Sequence, residues 1–202
     1  MKAIIEPEQF KTYTWSGGKS TEMYVYPKGK NFKDKDFSFR VSTSTFSDLK
    51  SEFTDYTGFH RFILPIKGEL TINNKEFPNH KLETWMNCDF DGGLETTAEA
   101  SVGCKDFNFI VSNKDRGDLM VIEHDISLDK DSKDAYFICF ATHDYHLRTI
   151  YEDLDLKANT LFITNEVVEI TILDYFPVIV CEWVPSKGRP ADEGRGYKVK
   201  RK

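Results

Sequence analysis

Short runs of apolar or alternating residues recur along the chain, with turn-forming residues between them. Side chains alternate between the two faces of a β-strand, so a period of two predicts strands. The apolar and semi-polar positions are mostly Phe, Tyr, Thr, Val and Ile, which favour strands, and Ala is scarce. The predicted strands lie at Glu22–Tyr26, Phe37–Val41, Phe59–Ile66, Glu69–Ile72, Phe107–Val111, Leu119–Ile122, Ala135–Phe140, Thr160–Thr164, Val167–Leu173 and Val178–Val184.

The spacing of these runs predicts the fold class. Many short strands separated by turns are typical of an all-β sandwich or barrel, and the one short helix is predicted at Ser47–Tyr56. A polar stretch at Ser127–Asp134 interrupts the strand rhythm, which then resumes. Because 202 residues can hold two small cores, we expect two β-barrels that join between Asn113 and Asp134. The expected domains are residues 1–125, residues 126–185 and a basic mobile tail at 186–202.

Charge is distributed unevenly along the chain. The net charge is −6, but the last 17 residues carry seven Lys or Arg against Asp192 and Glu193, a net +5, which leaves −11 for the rest. An acidic body argues against nucleic acid as the main partner, since nucleic-acid binding rests on a positive surface. A short charged end is typical of a mobile terminus, although a basic tail also suits contact with RNA or an anionic membrane.

The cysteines and the hydropathy of the chain bear on its compartment. Cys88, Cys104, Cys139 and Cys181 show no C-x-x-C spacing, and three of them lie in or beside apolar runs, so we predict reduced, mostly buried thiols. No window approaches the roughly 20 apolar residues of a membrane span, and the N-terminal segment lacks the apolar stretch of a signal peptide. We therefore expect a cytoplasmic protein without a membrane partner.

Two predicted strands carry one polar and one apolar face. In the run FRVS, Arg40 and Ser42 point one way, and in the run DFNF, Asp106 and Asn108 are set apart from the phenylalanines. If the apolar residues pack in a core, the polar ones face either water or an enclosed cavity. The solvated face of an antiparallel sheet explains the alternation alone. An enclosed Arg beside a hydroxyl suits a small anionic or amide-bearing ligand instead.

Other constellations carry little chemistry. Inward-facing histidines at i and i+2 can hold a metal ion in a small barrel, but no His-x-His occurs, and His143 and His146 are three residues apart. The run Asp129–Asp134 lacks the Gly and the bidentate Glu of a calcium loop. No G-x-S-x-G and no phosphate-binding Gly loop is present. We therefore predict no metal site, no cofactor and no assigned catalytic residue.

Six motifs occur in the order typical of one known family. They are Trp15–Glu22 (WSGGKSTE), Phe39–Ser42 (FRVS), Gly58–Arg61 (GFHR), Gly68, Phe90–Gly92 (FDG) and Asp106–Asn108 (DFN). Together they resemble the HutD/Ves family, whose pattern has a Trp with a Gly-rich turn and Thr-Arg-Glu, a W-R-[LV]-S strand, F-P-G-x-D-R, a F-x-G-[DE] turn and D-x-N. The resemblance covers Tyr13–Val111. Beyond about Asp125 it rests on overall length and strand rhythm.

The resemblance implies a bicupin, with two stacked cupin-like barrels in one chain and without the cupin metal ligands. It also implies a link to histidine utilisation, where a regulatory role in sensing an intermediate such as formylglutamate has been proposed, and to a cold- and stress-induced branch. The chain departs from the pattern at Tyr56–Thr57 in place of Phe-Pro, at His60 in place of the acid before Arg61, and in lacking the Arg before Glu22. If these positions shape the site, the ligand differs.

The residue pattern and the resemblance point to the same site. Arg40 and Arg61 could clamp a carboxylate, and Asp106 could orient an Arg or accept from a ligand N–H. Ser42 and Asn108 could hydrogen-bond an amide or formyl group. The alternative is that Arg40 and Asp106 pair only with each other and fix the strand register. The predicted ligand-binding residues are Arg40, Ser42, Arg61, Asp106 and Asn108.

Two functions stay open at this point. The first is a non-catalytic regulatory protein that binds a small carboxylate metabolite, with Trp15 and Glu22 serving in packing and capping at the barrel mouth. The second is a metal-independent enzyme of the isomerase, lyase or hydrolase type with Asp106 or His60 as its base. Cupin barrels host both, so the fold does not decide. We expect a small anionic metabolite as partner, and a homodimer is left open.

Overall fold

The computed structural model describes residues 1–15, 17–130, 132–186 and 199–200. Within these residues the chain is all-β, as predicted, with two single-turn 3-10 helices at Pro7–Gln9 and Phe32–Asp34. The strands are β1 (Ala3–Ile5), β2 (Lys11–Trp15), β3 (Gly18–Tyr26), β4 (Phe39–Phe46), β5 (Lys50–Glu52), β6 (Phe59–Lys67), β7 (Leu70–Asn73), β8 (His80–Leu82), β9 (Cys88–Asp91), β10 (Thr97–Ala100), β11 (Lys105–Ser112), β12 (Arg116–Ile122), β13 (Ile126–Leu128), β14 (Tyr136–Phe140), β15 (Tyr145–Thr149), β16 (Asp153–Leu156), β17 (Leu161–Thr164), β18 (Val168–Thr171), β19 (Val178–Val184) and β20 (Val199–Lys200).

Residues 9–113 form one compact unit, called here the first unit. It contains a six-stranded sheet in the order β2-β3-β4-β11-β6-β9 and a four-stranded sheet in the order β5-β10-β7-β8. All pairings in both sheets are antiparallel. Apolar residues of β6 to β10, including Ile63, Leu70, Ile72 and Leu82, form a buried cluster in this unit.

The second unit combines residues 1–8 with residues 114–202. Its two sheets have the orders β1-β17-β14-β19-β12 and β16-β15-β18-β13-β20. Its buried core is built from large apolar side chains such as Phe137, Tyr145 and Phe162. Strand β1 belongs here because it pairs with β17 over the register Ala3 to Ile163.

The contact-based division falls after Asn113, earlier than the domain boundary expected at residue 125. The physical reason is that β12 pairs along its whole length with β19, so it belongs with the C-terminal strands. The predicted basic tail at residues 186–202 lies outside the described residues except for Ser186 and the backbone of β20, which pairs with β13.

Every run predicted as a strand contains a strand, but the helix predicted at Ser47–Tyr56 is wrong. That segment holds the short strand β5, whose Ser51 is buried and pairs with Ala98 of β10. Tertiary pairing at a sheet edge therefore overrides the local preference of a polar segment. Short strands such as β13 and β16 were missed because three or four residues are too few to show an alternating pattern.

Candidate ligand-binding site

A cavity of about 500 Å³ lies against one face of the six-stranded sheet in the first unit. This volume falls within the range of small-molecule sites. Its polar lining includes Arg40, Ser42, Ser44, Arg61, Asp106 and Asn108, and its aromatic lining comprises Tyr13, Trp15, Phe32, Phe46, Phe53 and Tyr56. The site is therefore a box of aromatic rings with charged groups on its sheet wall.

Strand register brings the polar side chains of this wall together. Arg40 on β4 and Arg61 on β6 both pair with Ile110 of β11, which lies between them. Because neighbouring strands are about 4.8 Å apart, the two arginine Cα atoms are about 10 Å apart. The next pairs along β4 and β11 are Ser42 with Asn108 and Ser44 with Asp106.

Arg40 is buried, and two of its guanidinium nitrogens donate to protein partners. Its Nε donates to Glu22 Oε2 at 2.9 Å, and its Nη1 donates to Ser42 Oγ at 2.9 Å. The guanidinium lies over the ring of Phe32, 4.6 Å from the centroid. Glu22 is 7% exposed, so this is a buried ion pair and its carboxylate neutralises Arg40.

The pairing of β3 with β4 is irregular next to Glu22. Glu22 pairs with Ser42 and Tyr24 pairs with Val41, so the register shifts by one residue between Glu22 and Tyr24. A bulge of this kind re-aims side chains on the strand that carries the extra residue. Glu22, assigned to capping from the sequence, is instead the buried acid that pairs with Arg40.

Arg61 is as buried as Arg40, but its guanidinium group has fewer polar partners. Its Nη2 donates to the Thr54 carbonyl at 3.0 Å, while its Nε is buried without a hydrogen-bond partner. Among the described residues no carboxylate lies within ion-pair distance of this guanidinium, which instead lies over the rings of Phe53 (4.7 Å) and Tyr56 (5.3 Å). Burial lowers the pKa of Arg61 to about 10, so the side chain remains a cation at neutral pH.

The aromatic floor under Arg61 is fixed by the backbone around Gly92. Tyr56 N–H donates to the Gly92 carbonyl, and Gly92 N–H donates to the Phe59 carbonyl, both at 2.8 Å. A Cβ atom at Gly92 would lie 2.9 Å from both the carbonyl oxygen and the Cβ of Tyr56. Only glycine allows this approach, which accounts for the Phe90–Gly92 motif.

Asp106 is the second acid at the site, and it is 1% exposed. Its Oδ1 accepts from Ser44 N–H and from Asn108 Nδ2, both at 2.8 Å. Burial raises the pKa of Asp106 to about 6, and these hydrogen bonds and the charge of Arg61 only partly oppose that effect. The carboxyl group therefore titrates near neutral pH.

The five residues predicted from the sequence line one cavity, and their role in holding a ligand stays a prediction. The alternative in which Arg40 pairs with Asp106 is wrong. Arg40 forms an ion pair with Glu22, and Asp106 accepts hydrogen bonds from a backbone N–H and a side-chain amide. Glu22 was missed as part of the site. The signal that could have found it is its place at the end of the motif WSGGKSTE, two positions from the polar Ser20 on a strand.

The histidines lie outside this cavity. His60 contacts Asp89 at 2.6 Å, His146 lies between Asp153 and Asp155, and His143 stacks on a phenylalanine. Within the described ranges, no group of three or more His, Cys, Asp or Glu has a geometry that could hold a metal ion. The same part of the chain contains no helix long and apolar enough to cross a membrane.

The four cysteines are free and buried, as predicted. Burial raises the pKa of Cys88 and Cys104 to about 12 and that of Cys181 well above its usual value. Thiols with such high pKa values are poor nucleophiles at neutral pH.

Comparison with known proteins identifies the family. A sequence profile of HutD matches residues 7–172. The chain belongs to the HutD family. No curated protein matches its sequence.

Solved structures of HutD-type proteins share the fold. PA5104 from Pseudomonas aeruginosa PAO1, described as a conserved protein of unknown function, is 18% identical with a TM-score of 0.76, over 91% of this chain and 98% of that one. HutD from Pseudomonas fluorescens SBW25, determined in a formate condition, is 15% identical with a TM-score of 0.74 over the same shares.

A cupin 2 conserved barrel domain protein from Leptotrichia buccalis is 10% identical, with a TM-score of 0.55 over 90% of this chain and 96% of that one. At these identities the likeness shows the fold alone. This HutD-family chain therefore has the cupin-type all-β fold that the resemblance implied.

Proposed function

We propose that this HutD-family protein is a non-catalytic regulatory protein that binds a small carboxylate metabolite in the cavity of the first unit. The observation that supports this most directly is Arg61, a buried guanidinium with an unpartnered Nε on the cavity wall. A ligand carboxylate would supply the missing acceptor and the missing negative charge.

The two buried arginines differ in how the cost of burying a cation is offset. Removing a charged group from water costs several kcal/mol unless a counter-charge and hydrogen bonds replace the water. Arg40 has both replacements in Glu22 and Ser42, whereas Arg61 has one carbonyl and two aromatic rings. Guanidinium groups bind carboxylates through two parallel N–H donors. A ligand carboxylate could therefore accept hydrogen bonds from Arg61, whose Nε has no partner in the protein.

The family gives this ligand a metabolic setting. The name HutD and the resemblance described above link the chain to histidine utilisation, in which formylglutamate and urocanate are carboxylate intermediates. We propose that the protein senses one such acid and adjusts catabolic flux. A position of its gene beside histidine-degradation genes would support that setting.

An enzyme remains the second candidate, and Asp106 is the observation that favours it. A buried carboxyl group with a pKa of about 6 meets the requirement for a general base near neutral pH. An enzyme would convert a bound acid to product, and Asp106→Asn would stop conversion while leaving binding in place. Incubating each binding acid with the protein and following its NMR spectrum separates the two functions.

The test of binding is a thermal-shift screen with formylglutamate, urocanate and related acids. We expect at least one acid to stabilise the wild type, because a ligand that binds only the folded state raises its stability. Arg61→Met removes hydrogen bonds to a charged group, which should weaken that acid by about tenfold to a hundredfold.

Arg148→Met is the matched control for this screen. Arg148 is exposed in the second unit and pairs with Glu169, so its loss should leave the ligand shift unchanged. A screen in which no acid stabilises the wild type contradicts the proposal. So does an acid that binds Arg61→Met as well as the wild type.

A further inference from the structure

Three lysines form a row across one end of the six-stranded sheet in the first unit. Lys19 of β3 pairs with Thr45 of β4, Thr45 pairs with Lys105 of β11, and Lys105 pairs with Lys67 of β6. Residues directly opposite each other in an antiparallel pair share a face of the sheet. This lysine row lies on the face opposite the cavity, because Lys105 alternates along β11 with Asp106, which lines the cavity.

The positive charge of the lysine row is not compensated at close range. Within the described part of the chain, none of its three amines has a carboxylate within ion-pair distance, whereas Lys50 of β5 pairs with Glu99 at 2.7 Å. Lys67 and Lys105 are like charges directly opposite on adjacent strands, an arrangement that destabilises a sheet. The whole chain has a net charge of −6, so the row is a local positive patch on an acidic protein.

Lys105 differs from the other two lysines of the row in its exposure. It is half-buried, whereas Lys19 and Lys67 are exposed. Burial lowers the pKa of Lys105, and the charge of Asp106 only partly opposes that effect. A neighbouring cation also disfavours the protonated form of an amine. Lysines act as nucleophiles where desolvation or a nearby cation favours the free amine, so Lys105 is the amine of the row best suited to react at neutral pH.

We propose that Lys105 is a site of covalent acylation by anionic acyl donors of the acyl phosphate class. Lys19 and Lys67 attract the phosphate of the donor, and Lys105 supplies the nucleophile. Its free Nζ attacks the carbonyl carbon and forms a C–N bond. The C–O bond to phosphate breaks, phosphate leaves with the electron pair of that bond, and the nitrogen gives its extra proton to water.

The product of this step is a neutral amide, so the lysine row loses one cation and the repulsion between β6 and β11 is relieved. The acylated and free forms would therefore present different charges on this face of the sheet. The inference concerns the face opposite the cavity, and it does not depend on the proposed function.

Acetyl phosphate and the uncharged ester N-acetoxysuccinimide are the two probes. Each is incubated with the wild type at neutral pH, and the acetylation rate of each lysine is measured by peptide mass spectrometry. We expect both probes to acetylate Lys105 at least about threefold faster than Lys75, an exposed lysine of the same unit, because a lower pKa leaves more free amine. The hydrogen bond between Lys50 and Glu99 raises the pKa of Lys50, which should react most slowly of the three.

Lys67→Gln tests the contribution of the lysine row. This variant loses both the attraction for the donor and the like charge that favours the free amine, so acetyl phosphate should acetylate its Lys105 at least about threefold more slowly. Lys67→Arg is the matched control, because it keeps the cation and should keep the wild-type rate. Lys67 is exposed, so neither substitution disturbs the core. Added salt should slow the reaction of Lys105 with acetyl phosphate more than its reaction with the uncharged ester.

The two probes and the two variants test separate parts of the proposal. A wild type in which neither probe acetylates Lys105 faster than Lys75 overturns the assignment of Lys105. A preference for Lys105 with the uncharged ester alone overturns the anionic class of donor. Equal rates at Lys105 with acetyl phosphate in Lys67→Gln and Lys67→Arg overturn the role of the lysine row.

Discussion

The two units share antiparallel two-sheet architecture but fill their interiors differently. In the first unit, one face of β4, β6 and β11 turns Arg40, Arg61 and Asp106 towards a cavity. In the second unit, strands β14, β17 and β19 contribute to a buried cluster of apolar side chains that includes Phe162. The second unit also buries Glu182 on β19, but its core cluster consists of aliphatic and aromatic side chains with one cysteine, Cys139.

This difference separates stability from function along the chain. Burial of apolar side chains is the dominant favourable contribution to folding. Buried ionised groups contribute little or cost free energy, so a unit that retains several of them does so for another reason. We therefore place the proposed ligand binding in the first unit and expect the second unit to contribute mainly stability.

The largest effect should come from removing a large side chain from the core of the second unit. Phe162 is fully buried, and its strand pairs with both β1 and β14. Phe162→Ala should lower the free energy of unfolding by about 4 kcal/mol, through lost burial and the cavity left behind. Urea denaturation measures this loss, and Phe162→Leu is the control, with an expected loss of about 1 kcal/mol. If the alanine variant folds and its affinity for a carboxylate also falls, the separation of roles is wrong.

Much of this contrast follows from sequence patterns. Period-two alternation in the runs FRVS and DFNF placed Arg40, Ser42, Asp106 and Asn108 on the polar face of their strands, and the structure has them on one cavity. The apolar runs of β14, β17 and β19 likewise predicted buried strands. Local alternation works here because each strand has a fixed orientation towards one interior.

Features that depend on register between distant strands could not be predicted. The partner of Arg40 is Glu22 and not Asp106, because the register of β3 against β4 sets Glu22 opposite Ser42, two residues from Arg40. The helix predicted at Ser47–Tyr56 failed for a related reason, since pairing with β10 fixes β5 as an edge strand. Neither a bulge nor an edge pairing leaves a period in the sequence.

The second prediction compares the effects of removing Arg40 and Arg61 on the free energy of unfolding. Arg40→Met leaves the Glu22 carboxylate buried without its cation, so it should destabilise the protein by about 3 kcal/mol. Arg61→Met removes a buried charge that has no counter-charge, and it should leave the free energy of unfolding unchanged within about 1 kcal/mol, since lost cation–π contacts offset the relieved desolvation.

Urea denaturation of the two variants at neutral pH makes this comparison. The double variant Glu22→Gln with Arg40→Met is the control, because both charges of the pair are gone and most of the lost stability should return. Equal destabilisation by Arg40→Met and Arg61→Met would show that both guanidinium groups are equally compensated, contrary to the geometry.

The last prediction concerns Asp106, whose effect on stability depends on pH. Its pKa is raised from 3.8 to about 6, mainly by burial, so between these values the folded state binds more protons than the unfolded state. Stability therefore falls as pH rises from about 4 to about 6 and then levels off, with a total cost of about 3 kcal/mol at neutral pH. Asp106→Asn has no such proton to lose, and its Oδ1 can still accept from Ser44 and Asn108.

We therefore expect Asp106→Asn to be more stable than the wild type at pH 7 and to lose that advantage at about pH 4, as measured by urea denaturation across this range. Asp55→Asn is the control of opposite sign, because hydrogen bonds from Thr57 and Lys35 lower the pKa of Asp55 to about 2. Removing that carboxylate should destabilise the protein at neutral pH, and the deficit should shrink as pH falls towards 2.

A stability difference between wild type and Asp106→Asn that stays constant from pH 4 to pH 7 would mean that Asp106 does not change protonation in this window. The first unit would then hold a permanently ionised acid beside Arg61, and its cavity would differ from the apolar interior of the second unit even more than the structure indicates.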